Sequence, residues 1–236
     1  MATFLQLCQQ TARDSGTVSG VQPATVVAQT GWLGSIVAAV ATAWSDIQNT
    51  RGGWAWMRQD FTGGLLANTA EYTPASFGIT DHASWLFGVA GDGVTVYLTA
   101  TGVSDEGPMR RINWDDWRRL YGRGAQTPGR PVHYAVRPRD SALCFGPTPD
   151  AAYTVKGEYR SAPQVLAANA DIPAMPERFH DAIKYRALML LGEHDEAPAA
   201  VNYPMGEYRR VMGELMRDQL PGVGIGVGAP LEGFGS

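Results

Sequence analysis

Residues 33–61, LGSIVAAVATAWSDIQNTRGGWAWMRQDF, decide how the rest of the chain is read. Leu33, Ile36, Val37, Val40, Ala41, Trp44 and Ile47 recur at the spacing of a helix that buries one face. Thr30 and Ser35 are candidate caps before and within its first turn. Gly52 and Gly53 offer a left-handed exit at its C-terminal end. Trp54, Trp56 and Met57 follow at once, so a long helix ends in an indole cluster where a helical layer gives way to a β layer.

Working outward toward the N-terminus, residues 3–14 form a shorter helix. Thr3 caps it, and Phe4, Leu7, Cys8, Thr11 and Ala12 share one face. Residues 16–30, rich in Ser, Gly, Val and Thr with Pro23 among them, are a connection. The first sixty residues are therefore two helices packed on each other.

Toward the C-terminus the texture changes. Gly63-Gly64, Asn68-Thr69, Thr73-Pro74 and Gly91-Asp92-Gly93 are turn chemistry at short intervals. Residues 94–101, VTVYLTAT, place Val94, Val96, Leu98 and Ala100 on one face of a strand. Residues 113–121, NWDDWRRLY, are one or two helical turns capped by Asn113, with Trp114, Trp117 and Tyr121 turned toward a sheet. Residues 132–136 and 142–145 are short strands, and in 153–159 Tyr153, Val155, Gly157 and Tyr159 point inward. Prolines 173 and 176 then introduce a helix striped by Phe179, Ala182, Ile183, Ala187, Leu190 and Leu191. A second helix runs from Pro204 to Leu220 with Tyr208, Val211, Met212, Leu215 and Met216 inside, and Pro221 stops it.

The expected fold is α+β. Both chain ends, 1–60 and 161–220, form a helical bundle, and an antiparallel β domain, 61–160, is inserted as a sandwich or partly open barrel. Residues 221–236, PGVGIGVGAPLEGFGS, carry too much glycine to fold alone and read as a flexible arm.

Composition narrows the function. A net charge of -4 gives no basic footprint for gripping nucleic acid, and charged residues make up only 18% of the chain, against about 25% in an average soluble domain. Lysine occurs only at Lys156 and Lys184, so the cations are nearly all arginine. That suits subunit interfaces, and it also follows from a GC-rich coding sequence. Cys8 and Cys144 sit far apart on apolar segments and read as small buried hydrophobes. A reducing cytoplasm is the default site of synthesis, with no signal peptide and no membrane-spanning run expected.

No catalytic constellation emerges. The four histidines, His82, His133, His180 and His194, lack HExxH or HxH spacing, and GEHDE around His194 reads as a solvated helix end. No enzyme, metal or cofactor is expected. The tail GVGIGVG opens no helix, so it lacks the context that cradles a phosphate. Trp114, Trp117 and Tyr121 interleave with Arg110, Arg111, Arg118, Arg119 and Arg123, a pattern that can stack on single-stranded nucleic acid. The favoured reading is core indoles with arginines on the solvated or subunit-facing side.

Several segments together carry a resemblance: AWSDIQNTRGGWAWMRQDF, INWDDWRRLYGR, PRDSALCFGPTPDAAYTVKGEYRSAP and IPAMPERFHDAIKYRALML, in that order. Over most of residues 1–220 the chain resembles the tailed-phage head-tail adaptor family, also called connector or head-completion proteins. The resemblance implies a helical bundle with a β-rich insertion, assembled as a homo-oligomeric ring, commonly of twelve subunits, beneath the portal. Such a ring closes the filled head in the virion neck and gives the tail its platform. Its partners are other copies of itself, the portal protein and tail or neck proteins, with DNA only as passing cargo and no membrane. Carried onto this sequence, the portal-docking arm is Leu220, Val223, Ile225, Val227, Leu231 and Phe234. Arg110, Arg111, Arg118 and Arg119 are the candidate subunit or tail interface. Two alternatives remain. One is a neck stopper or tail-terminator ring, usually smaller and mostly β. The other is a carbohydrate-binding module using Trp32, Trp54, Trp56 or Trp85 as platforms.

Overall fold

A computed structural model describes residues 1–16, 21–51, 53–88, 93–194 and 198–220. In chain order the elements begin with α1 (Phe4–Asp14), α2 (Gly31–Thr50), β1 (Arg58–Leu65), β2 (Glu71–Tyr72), β3 (His82–Leu86) and β4 (Thr95–Leu98). Then come β5 (Gly107–Pro108), β6 (Arg110–Arg111), α3 (Trp114–Leu120), β7 (His133–Val136), β8 (Leu143–Gly146), β9 (Tyr153–Ser161), α4 (Asp181–His194) and α5 (Pro198–Gln219). The chain divides into two compact units, Met1–Trp56 with Gln164–Ser236, and Met57–Pro163.

In the first unit, α1 opens with a capping box. The Thr3 hydroxyl accepts from the Gln6 amide at 3.3 Å, and the Gln6 side chain accepts from the Thr3 amide at 2.9 Å. Two of the amides that a helix start leaves unpartnered are thereby satisfied. Phe4, Leu7, Cys8, Thr11 and Ala12 are its buried face, as the spacing requires. On α2 the centre of the expected stripe, Ile36, Val40, Trp44 and Ile47, is buried, and Ala39 and Ala43 are buried beside it. The buried arc is wider than the sequence stripe because α2 packs against both α1 and α4.

Arg51 closes α2 in extended conformation. Of the glycine pair expected to form its exit, Gly52 lies outside the described residues. An indole meets the end of the helix. Trp54 is fully buried, its Nε1–H donates to the Ile47 carbonyl at 3.0 Å, and its ring stacks on Trp56 at 4.6 Å. That carbonyl is one of the last four of the helix, which have no intrahelical partner.

Buried Gln48 pins the returning chain. Its Oε1 accepts from the Gln164 amide at 2.7 Å, and its Nε2 donates to the Gln164 carbonyl at 2.9 Å. Packed among α1, α2 and α5, α4 buries Leu188 and Met189 as well as the expected Ala182, Ile183, Ala187 and Leu191, while Leu190 is only half-buried. The start of α5 is also corrected. The helix begins at Pro198, and Pro204 lies inside it with its ring buried. Pro198 fills the first-turn position where the missing amide costs nothing, so Pro204 is not needed as a start signal.

The second unit is a sandwich. In the larger sheet β9 is the central strand. It pairs antiparallel with all of β1 on one side, from Arg58↔Arg160 to Leu65↔Tyr153. On the other side β4 covers its first half and β3 its second, and β5 pairs with β4. The smaller sheet runs β2-β8-β7-β6. One expectation needs amending: β6 and β7 are parallel, because the connection between them, which contains α3, is a crossover rather than a hairpin. The strand expected over 94–101 is also shorter. The Thr101 and Gly102 amides turn back onto the Leu98 carbonyl, and Gly102 takes a φ of 80°.

Between the sheets lies one core: Phe61, Leu65, Trp85, Val96, Tyr153, Val155 and Tyr159 from the larger sheet, facing Tyr72, Tyr134, Leu143 and Phe145 from the smaller. Each such side chain removed from water is worth about 1.5–3 kcal/mol. All four residues of β8 are buried, because Leu143 and Phe145 face this core while Cys144 faces a second cluster with Ala135 and Trp117 of α3. The layers are thus sheet, sheet and helix.

Candidate interaction surfaces

α3 is short but well set for a surface element. Asp115 and Asp116 occupy its first turn and Arg118 and Arg119 its last, the order the helix dipole favours. Arg119 pairs with Asp116 at 2.8 Å and Arg118 with Asp115 at 3.9 Å. Asn113 takes the cap position, although its side chain makes no cap bond. Trp117 is buried, and half-buried Trp114 stacks on it at 5.3 Å with the rings 7° from parallel. Tyr121 completes the cluster. Its hydroxyl lies 2.7 Å from His133 Nδ1, and its ring occupies space that a Cβ on Gly146 would invade at 2.3 Å.

Beside these rings runs an open groove of about 640 Å³, lined chiefly by Trp114, Trp117, Tyr121, Arg118, Arg137 and Arg139. Arg137 is clamped by two hydrogen bonds of 2.8 Å to Asp140 and by Glu71. The bonds from Arg137 hold the Asp140 carboxyl down at about 2. Asp140 in turn raises the Arg137 guanidinium above its ordinary range. A cation so neutralised positions a partner more than it attracts one.

In the helical unit several outward cations are likewise paired. Arg210 bridges Glu207 at 2.9 Å and Glu214 at 3.0 Å, Arg186 meets Asp46 at 2.8 Å, and Arg178 meets Asp218. Leu220, half-buried, donates its amide to the Met216 carbonyl at 3.1 Å. A smaller apolar groove of about 300 Å³ is lined by Phe4, Val26, Val37, Ala38, Ala41 and Leu166.

Burial pushes the thiols of Cys8 and Cys144 up to about 12, so both are kept from the thiolate form. Among the described residues no three His, Cys, Asp or Glu side chains gather as a metal site. His82 lies against Trp85 at 4.4 Å, and burial lowers its pKa. His180 is buried, with Nε2 3.0 Å from the Met175 carbonyl. Of GEHDE, the His194 side chain, Asp195 and Glu196 lie outside the described residues. Trp54 and Trp85 are buried, and so cannot be sugar platforms. Trp32 and Trp56 are half-buried. No helix is long and apolar enough to cross a membrane among the described residues.

A family model described as the SU10 adaptor protein matches residues 2–225, which takes in both units. The chain belongs to the SU10 adaptor protein family. It is a phage adaptor, a structural component of the virion. No curated protein matches the chain.

On this adaptor the four arginines singled out by sequence are all exposed and all in the sandwich unit. Arg110 and Arg111 lie on β6 at the edge of the smaller sheet, and Arg118 and Arg119 on the helix covering that sheet. Only Arg118 lines the groove; Arg111 instead lies 3.9 Å over the Phe87 ring. Sequence reasoning missed Arg137 and Arg139, which reach the groove from the turn before β8. The segment RPRD, two arginines and an aspartate around a proline, was the available signal for a charged tight turn. Of the candidate docking arm, Leu220 is described, and Val223, Ile225, Val227, Leu231 and Phe234 lie outside the described residues.

Proposed function

We propose that the protein is a head-tail adaptor that assembles as a ring, commonly twelvefold in such proteins, beneath the portal. The ring closes the DNA-filled head and gives the tail its platform in the virion neck, with DNA passing through the lumen. The observation that carries this reading is the family match across residues 2–225. The charge distribution supports it. Each neutralised phosphate tightens nucleic-acid binding, so a channel that lets DNA slide should not bristle with free cations. The net charge is -4, and Arg118, Arg119, Arg137, Arg186 and Arg210 all have carboxylate partners.

A closed ring needs two different complementary patches on every subunit. The exposed arginines of β6 and α3 supply one subunit or tail contact. The arm from Leu220 through Phe234 docks on the portal, where the apolar surface it buries offsets the entropy it loses on ordering. The test is mass in solution, for the purified chain alone and after mixing with portal rings from the same genome. Association with the portal at a fixed multiple of subunits is the expected result. Association with tail components alone would replace this reading by a stopper or terminator.

A further inference from the structure

The helical unit carries a face without charge. Residues 21–45 contain no Asp, Glu, Lys or Arg, although such residues make up 18% of the chain. Residues 162–170, on the segment that leads from β9 to α4, contain none either. The two stretches are joined. Asn169 Oδ1 accepts from the Val26 amide at 2.7 Å and the Thr25 hydroxyl at 3.1 Å, and both stretches line the groove beside Val37 and Ala41. The next acid in sequence, Asp171, is engaged, its Oδ2 accepting from the Ala167 and Ala168 amides at 2.6 and 2.7 Å. Flanking the groove, Val27 is 60% exposed and Val165 81%, and Ala38 and Ala167 on its wall are exposed too. A single exposed valine is ordinary, but aliphatic side chains gathered round an uncharged groove mark a docking surface.

Chemistry limits what this face can take. A charge brought against it would lose its water and find no counter-ion, a cost that the contact cannot return. The occupant is therefore uncharged and aliphatic. Most of the sandwich fails on that count. Its smaller sheet is flanked by the arginines of β6 and α3, and the outer face of its larger sheet carries Arg58, Asp60, Lys156 and Glu158.

One end of the sandwich fits. β1 ends at Leu65 and β4 at Leu98, both opposite Tyr153 at the start of β9, so the loops that follow them emerge together. Those loops, residues 66–70 (LANTA) and 99–104 (TATGVS), hold no charge. Each presents an aliphatic side chain to solvent: Leu66 is 65% exposed and Val103 63%. Both loops are held in place. The Leu66 amide donates to the Tyr72 hydroxyl at 2.5 Å, and Asn68, with a φ of 62°, donates its amide to the Pro149 carbonyl at 2.8 Å. The Thr101 and Gly102 amides both donate to the Leu98 carbonyl at 3.0 Å. The nearby acids are engaged, Asp105 by Arg130 at 2.7 Å and Asp150 by the Tyr153 hydroxyl at 2.8 Å. An aliphatic side chain on an ordered loop has little entropy left to lose on binding.

We infer that the Leu66 and Val103 loops of one copy seat on the uncharged face of the helical unit in an adjacent copy. This rests on the ring reading above and names its subunit contact. The two surfaces differ and belong to different units, so the contact is heterologous, the type that closes a ring when repeated. The arginines of β6 and α3 are then left to the tail.

The experiment mixes full-length chains bearing Ala38→Cys or Ala167→Cys with chains bearing Leu66→Cys or Val103→Cys, on portal rings from the same genome under mild oxidation. Disulfide-linked dimers on a non-reducing gel are expected, with none when exposed Arg13→Cys replaces the helical-unit cysteine. Ala38→Glu and Leu66→Arg, both at exposed positions, should each raise the concentration for half-assembly about ten-fold or more, equivalent to about 1.4 kcal/mol per contact. Combined in one chain they should recover most of that loss, because each new charge meets its opposite across the contact. Rings that form on the portal without cross-linking would overturn this seating and leave the ring reading standing. Loss of portal capture by Ala38→Glu with ring mass unchanged would assign the face to the portal, which also overturns it. If the unsubstituted chain forms no ring at all, both readings fall.

Discussion

Gly63 and Gly64 are adjacent in sequence and opposite in consequence. The chain is extended at both, so an added methyl is judged by the space it meets. At Gly63 that methyl would sit 2.0 Å from the Phe77 ring, which is itself held 5.3 Å from Phe61 and 5.6 Å from Tyr72. The ring has nowhere to retreat without disturbing two others. Gly63→Ala should destabilise the protein by about 1–3 kcal/mol, the range of core overpacking. Gly64→Ala should change stability by less than about 0.5 kcal/mol. Denaturant titration of the two variants side by side checks this, and equal midpoints would contradict the packing described for Phe77. Asp140 gives a pH-dependent counterpart. Its carboxyl, held at about 2 by Arg137, binds its proton more weakly folded than unfolded, where a value of about 3.9 applies. Its contribution to stability is therefore complete above about pH 4 and is lost as pH falls toward 2. In Asp140→Asn that part of the acid dependence should be missing, so the stability gap between variant and parent should narrow as pH falls through this window.

At the scale of elements, what was legible in the sequence follows from how each element is buried. α1 has one buried side, and its five inward residues and its Thr3 cap could be read directly from periodicity. α4 is surrounded by three helices, so Leu188 and Met189 fall off any single stripe. β9 could be read because polar and apolar residues alternate along a strand with one wet face. β8 could not, since a layer between a core and α3 buries every residue and erases the alternation. One terminus signal misled for a local reason. Pro204 looked like a helix start, but Pro198 was six residues earlier and took that position. On the candidate interface, the α3 arginines could be seen because they are regularly spaced. Arg137 and Arg139 could not, because only the fold brings their turn beside Trp114 and Tyr121.

For the whole molecule the decisive feature is that one unit is inserted into the other by two adjacent chain crossings. The sandwich begins at Met57 and ends at Pro163, and the Ser161 hydroxyl donates to the Met57 carbonyl at 3.3 Å. The first residue of β1, Arg58, is paired in register with Arg160 of β9. Entry and exit are thus zipped together by the two longest strands of the unit. Its core draws on both sheets and closes through Trp85, whose Nε1–H donates to the Ser141 carbonyl at 2.6 Å. A segment with adjacent ends and its own core should not need the helices to find its fold. A fragment of residues 57–163 is therefore expected to be folded, with one cooperative denaturant transition and well-dispersed amide resonances. A broad, non-cooperative transition would show that the helical unit is required to hold the sheets together.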